Sequence, residues 1–186
     1  MISVAAMGVR GFLLLFSAVV LALSVSVAKE QRFEAVPTQT SFSSFVGAFG
    51  LVVSAIGLLA LWLNRIPALF VMGADVVTSI FFLAAGIALT LGLKSVSNCT
   101  DTSDQALLNK YDNRLVNGGC ISRHGDTFCN VAKNEDDTKF SLAVSRCQRL
   151  QADYVFEYLG FILGIVMIGL GWMLHKRGGT SRATYV

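Results

Sequence analysis

The chain has 186 residues, of which 54% are hydrophobic and only 15% charged, with a formal net charge of +3. An ordinary soluble domain carries about 25% charged residues. This composition therefore excludes a disordered chain, a coiled coil and a soluble globular domain of this size, and leaves a polytopic membrane protein.

Crossing a bilayer as a helix takes about 20 apolar residues, and four runs are that long or nearly so. The first, residues 11–28, is free of charge between Arg10 and Lys29. Its last residues, Ser26-Val27-Ala28, resemble a signal-peptide cleavage site, but the run is longer than a signal peptide needs. A retained helix is the favoured reading. The second run covers residues 42–63. The third, residues 66–93, is broken only by Asp75, and the fourth, residues 154–174, carries Glu157 near its start. None of the runs alternates, so helices are predicted rather than a barrel. The expected fold is an all-α four-helix membrane bundle forming a single domain over residues 1–186.

Basic residues set the orientation. Arg10 precedes the first run, Arg65 sits between the second and third, and Lys176, Arg177 and Arg182 lie in the acid-free tail 175–186. Four crossings put these sites on one side, which predicts cytoplasmic termini. The tail bases, with His175, read as a contact for anionic inner-leaflet lipids. Loops 29–41 and 94–153 then face the extracellular side. The longer loop is neutral, with eight basic and eight acidic residues.

All four cysteines, Cys99, Cys120, Cys129 and Cys147, fall in that loop. An even count in one outward loop points to disulfides. Three pairings exist. The nested one, Cys99–Cys147 with Cys120–Cys129, is favoured because it ties the end of the third span to the start of the fourth. No Cys-x-x-Cys occurs, so no metal is expected. Apolar residues at Phe140, Ala143, Cys147 and Leu150 have helical spacing and predict a helix from Thr138 running into the fourth span, with Asp136 and Asp137 as its cap. Residues 109–130, rich in Gly, Asn and Asp, read as irregular loop.

Intramembrane acids are costly and are functional candidates. Asp75 should lie about 13 Å in from the cytoplasmic end, and Glu157 about 5 Å from the opposite one. No base lies inside any run, so Asp75 has no evident counter-ion. A polar cluster of Asp75 with Ser17, Ser54, Thr78 and Ser79 is expected at its depth. Glu157 is expected at the interface, reaching water, Arg146 or Arg149. Small residues form stripes at Gly160, Gly164 and Gly171, at Ala84, Ala88 and Gly92, and at Gly50 with Ser54, as helix-packing or oligomer faces.

Motifs of hydrolases, zinc proteases and nucleotide-binding loops are missing from the sequence, so no enzyme, cofactor or nucleic-acid partner is expected. Tetraspanins share the large loop between spans three and four, but their Cys-Cys-Gly motif is replaced here by Gly118-Gly119-Cys120. Claudin-like proteins carry their large loop after span one. Three pieces resemble fungal MARVEL-domain proteins of the non-classical export, eisosome-associated type. They are Gly73-Ala74-Asp75 through Phe81-Phe82-Leu83-Ala84-Ala85-Gly86, Ser97-Asn98-Cys99, and Ser145-Arg146-Cys147-Gln148 with Gln151-Ala152 and Phe156. The insert holding Cys120 and Cys129 departs from the shorter loop of that family. The resemblance implies a plasma-membrane organiser of sterol- and sphingolipid-influenced domains, acting through lipids and as a homo-oligomer or part of a larger membrane complex. The other readings are an accessory subunit of a transporter, pump or synthase, and a small proton-coupled transporter using Asp75.

Overall fold

The computed structural model describes residues 2–63, 68–96, 98–124, 126–131 and 137–177. Among the described residues there are four long helices: α1 (Ile2–Lys29), α2 (Thr38–Leu63), α3 (Ala68–Gly92) and α5 (Asp137–Arg177). Between α3 and α5 lie a short helix α4 (Asp104–Asp112) and strands β1 (Cys120–Arg123) and β2 (Asp126–Cys129). All four long helices are long and apolar enough to cross a membrane.

The helices form a ring in which α1 touches α2 and α5, and α3 touches α2 and α5. The pairs α1/α3 and α2/α5 are therefore diagonal. Buried positions explain the packing. On α1 they are Ala6, Arg10, Leu13, Ser17, Val20, Ser24 and Val27. On α3 they include Val71, Asp75, Thr78, Phe82, Ala85 and Leu89. Both series alternate steps of four and three residues, the seven-residue repeat that keeps one seam facing its neighbours. α1 is thus an integral member of the bundle.

Small residues set the helix spacing. A side chain at Gly47 would meet the Leu21 backbone nitrogen at 2.7 Å, and one at Gly50 the Ser17 hydroxyl at 2.6 Å. Gly160 lies against Phe82 and Gly164 against Ser79. Gly171 is also buried, whereas Ala84 faces outward and Ala88 is only partly covered. The expected stripe on α3 is therefore rotated. Its packing face is Phe82, Ala85 and Leu89 because the buried repeat passes through those positions.

α5 has 41 residues. At 1.5 Å per residue it is about 60 Å long, twice the hydrocarbon thickness. Its Ala143, Cys147 and Leu150 pack in the core of the cap, with the helical spacing read from Thr138 onward. The predicted caps Asp136 and Asp137, with Phe140, lie outside the described side chains. So do Arg65, Lys176, Arg177 and Arg182.

The cap corrects the expectation of an irregular stretch at 109–130. α4 begins at Ser103, whose hydroxyl accepts from the Ala106 amide. β1 and β2 pair antiparallel with Cys120 opposite Cys129. Strands of four residues without apolar alternation hid the hairpin. Cys99–Cys147 and Cys120–Cys129 are both joined, and no described cysteine is free. The first bond lies in a core formed by Val27, Leu89, Leu93, Val96, Leu115, Val116, Ala143 and Leu150. Gly118 and Gly119 have φ of +72° and +84°. They let the cap chain press on the α1–α2 connection, where the Arg32 amide donates to the Gly118 carbonyl at 3.0 Å.

Candidate functional site: polar crossings on the bundle axis

Two polar bridges cross the bundle, each joining one diagonal pair of helices. At the end opposite the cap, Arg10 of α1 donates to both carboxylate oxygens of Asp75 on α3, at 2.9 and 2.7 Å. Both residues are buried. This corrects the reading of Asp75 as an acid without a counter-ion. α1 begins at Ile2, well before the charge-free run, so Arg10 is a core residue and not a flanking one. A side chain on Gly57 of α2 would collide with the Arg10 guanidinium. Gly57 is therefore the floor on which Arg10 lies.

The hydroxyls expected around Asp75 do not bond its carboxylate. Ser17 donates to the Leu13 carbonyl, Thr78 to Ala74 and Ser79 to the Asp75 carbonyl, at 2.7–2.8 Å. Each closes on its own helix four residues back. Ser54 is buried on the same stripe as Gly50 and Gly57. These residues line the axis near the ion pair, but the pair itself is Arg10 and Asp75.

At the cap end, Ser43 of α2 meets two acids of α5. Its Oγ lies 2.8 Å from Asp153 Oδ2 and 2.6 Å from Glu157 Oε1. Glu157 is fully buried, so the expectation of an interfacial Glu157 bonded to Arg146 or Arg149 is corrected. Those arginines bond elsewhere. Arg149 pairs with Glu30. Arg146 donates to the carbonyls of Val27 (2.9 Å), Val116 (3.1 Å) and Leu115 (3.1 Å), and contacts Glu30 and Gln31. It joins the end of α1 to the cap. Asp153 and Glu157 are one turn apart on the inward stripe; Arg146 shares that stripe but lies two turns nearer the cap, while Arg149 lies on a partly exposed face.

An apolar layer of Val20, Val46, Phe82 and Ala85 separates the two crossings. Outside, the helices present large apolar side chains, among them Phe12, Val52, Leu59, Ile80, Leu91 and Ile162. Among the described residues, no group of three or more His, Cys, Asp or Glu side chains is placed to hold a metal.

Sequence reasoning missed Arg10, Gly57, Ser43 and Asp153 as members of these crossings. The available signal was the seven-residue repeat, which places Ser43, Gly50 and Gly57 on one seam of α2.

No curated protein and no solved structure matches the chain. The membrane-associating domain model, MARVEL, matches residues 3–170, a stretch that covers most of all four apolar helices and both crossings. The chain therefore belongs to the MARVEL membrane-associating family, as a multi-pass membrane protein with a disulfide-tied cap.

Proposed function

We propose that this protein is a non-enzymatic organiser of the plasma membrane, gathering ordered, sterol- and sphingolipid-influenced domains of the eisosome type. The observation that carries the reading is the division of the bundle surface. Arg10, Asp75, Asp153 and Glu157 are turned inward, and Ser17, Ser24, Ser43, Thr78 and Ser79 bond across the axis or to their own helix. The outside is left as an apolar sheath, whose ligand is lipid or another apolar helix. The layer of Val20, Val46 and Phe82 interrupts any polar path along the axis, which favours a scaffold over a proton-coupled transporter.

In this reading the termini are cytoplasmic and the cap is extracellular. Both disulfides fit an oxidising side. Arg10 no longer counts toward orientation, since Asp75 neutralises it inside the bundle. Arg65, Lys176, Arg177 and Arg182 carry that argument, and the tail bases hold anionic inner-leaflet lipid. A cleft of about 370 Å³ at the cap edge, lined partly by Pro37, Gln39, Asn113 and Arg114, opens where α2 and α3 meet the cap.

The test is extraction into lipid nanodiscs from native membranes, followed by mass measurement of protein and lipid. Enrichment of sterol and sphingolipid over the bulk membrane, in a homo-oligomer or monomer, supports the organiser. A stoichiometric second protein with bulk lipid composition supports an accessory subunit and overturns it. Labelling of an added tail cysteine only after permeabilisation supports the orientation.

A further inference from the structure

The cap-end crossing has a hydrogen count that does not close with both acids ionised. Ser43 carries one hydroxyl hydrogen. Its oxygen lies 2.8 Å from Asp153 and 2.6 Å from Glu157, and both separations are those of O–H···O hydrogen bonds. One contact uses the serine hydrogen. The other needs a hydrogen from the carboxyl side, because two unprotonated oxygens at that distance repel. A second observation lies beside it. Thr40, one turn from Ser43 on the same inward stripe, is fully buried, and its Oγ1 has no hydrogen-bond partner. Asp153 Oδ1 and Glu157 Oε2 are likewise buried without a partner.

We propose that Asp153, Glu157 and Ser43, with Thr40 beside them, form a proton-binding site in which the two acids share one proton through the Ser43 hydroxyl. Among the described residues, no base is paired with Asp153 or Glu157. α2 has no charged residue between Thr38 and Leu63, and α1 has none between Arg10 and Lys29. The only charge on α3 is Asp75, which is held by Arg10 beyond the apolar layer. On α5 itself, Arg146 and Arg149 are engaged by Glu30 and by cap carbonyls. Tyr154 and Tyr158 flank the acids in sequence; Tyr154 packs against the cap core, and the Tyr158 hydroxyl bonds Thr90 at 3.0 Å. The shared proton ties the diagonal pair α2/α5 just beneath the disulfide-linked core of the cap. Losing it places two negative charges on one hydroxyl and loosens that tie.

The experiment is infrared spectroscopy of the full chain in a detergent lacking carbonyl groups. The C=O stretch of a protonated carboxyl should be present in the wild type at neutral pH and absent from both Glu157→Gln and Asp153→Asn. In Glu157→Gln, the amide supplies the missing hydrogen to Ser43 and leaves Asp153 ionised. Raising the pH should remove the band from the wild type and lower its Tm, with no such fall in either variant. Should a variant fail to fold, the alkaline titration of the wild type decides alone. A wild type without the band at neutral pH overturns the proposal. If its Tm then rises with added sodium or calcium, the site holds a hard cation; if not, both acids are simply ionised.

Discussion

Arg10 on α1 and Asp75 on α3 meet across the bundle axis through two parallel hydrogen bonds, on a floor formed by Gly57 of α2. The fork of a guanidinium matches the two oxygens of a carboxylate, so the pair fixes the rotation of both helices as well as their distance. Both residues are buried. The two charges are compensated only by each other, which makes the pair costly to break and cheap to replace as a whole.

Removing one partner strands the other. Asp75→Leu should lower bundle stability by about 3–5 kcal/mol, the usual cost of an uncompensated buried charge. Arg10→Met alone should cost a similar amount. The double replacement Arg10→Met with Asp75→Leu should recover most of the loss. Denaturation in mixed micelles across this cycle measures it. A loss in the double variant equal to the sum of the two single losses would show that the pair does not act as a unit.

Glycines at the seams should be intolerant, and glycines on the outside should not. At Gly47 the neighbour is the backbone of Leu21, which cannot swing away, so the helices must part. Gly47→Ala should cost about 1–3 kcal/mol. Gly73 has nothing within 4 Å of the added methyl. Gly73→Ala should be neutral or stabilising by up to about 1 kcal/mol, because alanine is the better helix former. Thermal melts of the two variants side by side check this. A Gly47→Ala protein as stable as Gly73→Ala would contradict the close packing of α1 and α2.

Much of this fold is legible in the residues. The apolar runs give four spans, and the 60-residue loop with four cysteines gives the cap and its nested pairing. The crossings are harder to read. Arg10 sits one residue outside a run defined by its lack of charge, so a rule based on apolar stretches excludes it. Ser43 resembles the other serines at the start of α2, and only the seven-residue repeat separates it from Ser41 and Ser44. The rotation of the α3 stripe away from Ala84 depends on which neighbour each face meets, which no single helix encodes. The hairpin at Cys120–Cys129 is short and polar, and its pairing is fixed by a disulfide and by Gly118-Gly119 more than by strand propensity.

The two disulfides should differ in weight. Cys99 and Cys147 are 48 residues apart and sit in the cap core, whereas Cys120 and Cys129 are nine apart at the hairpin. Loop-closure entropy assigns about 4 kcal/mol to the first and about 3 to the second. Cys99→Ser with Cys147→Ser also places two hydroxyls in an apolar core. That variant should expose the cap to protease, with cleavage throughout 94–136. Cys120→Ser with Cys129→Ser should leave cap protection intact outside the hairpin. Limited proteolysis with peptide mapping separates the two outcomes.

Arg146 should be the most damaging single side chain to remove from the cap. Its guanidinium serves three backbone carbonyls from two separate segments, at Val27, Leu115 and Val116. Arg146→Met keeps the stem and strips the donors. Losing hydrogen bonds to a charged group and leaving buried acceptors unpaired should cost about 3 kcal/mol or more. Hydrogen exchange should rise at residues 114–118 and at the end of α1, while the Arg10–Asp75 end stays protected. Exchange unchanged at both places would remove Arg146 from the joint.

The cap should also loosen in acid, through Asp101. Its carboxyl is held below the ordinary carboxylate range, first by the hydrogen bond from the Ser103 amide, then by the Ser103 side chain, with Lys110 nearby. Those bonds form the turn that starts α4. A depressed carboxyl contributes stability above its unfolded value of about 3.9, and the contribution is lost as pH falls through the lower folded value. Amide exchange in Asp104–Asp112 should therefore be flat at neutral pH, after correction for intrinsic rates, and accelerate as pH falls below that of a free aspartate. Asp101→Asn keeps the side-chain oxygen as an acceptor but removes the charge. It should abolish the acid-dependent step and leave α4 formed at neutral pH. An acid step of unchanged size in Asp101→Asn would assign the loosening to another carboxyl of the cap.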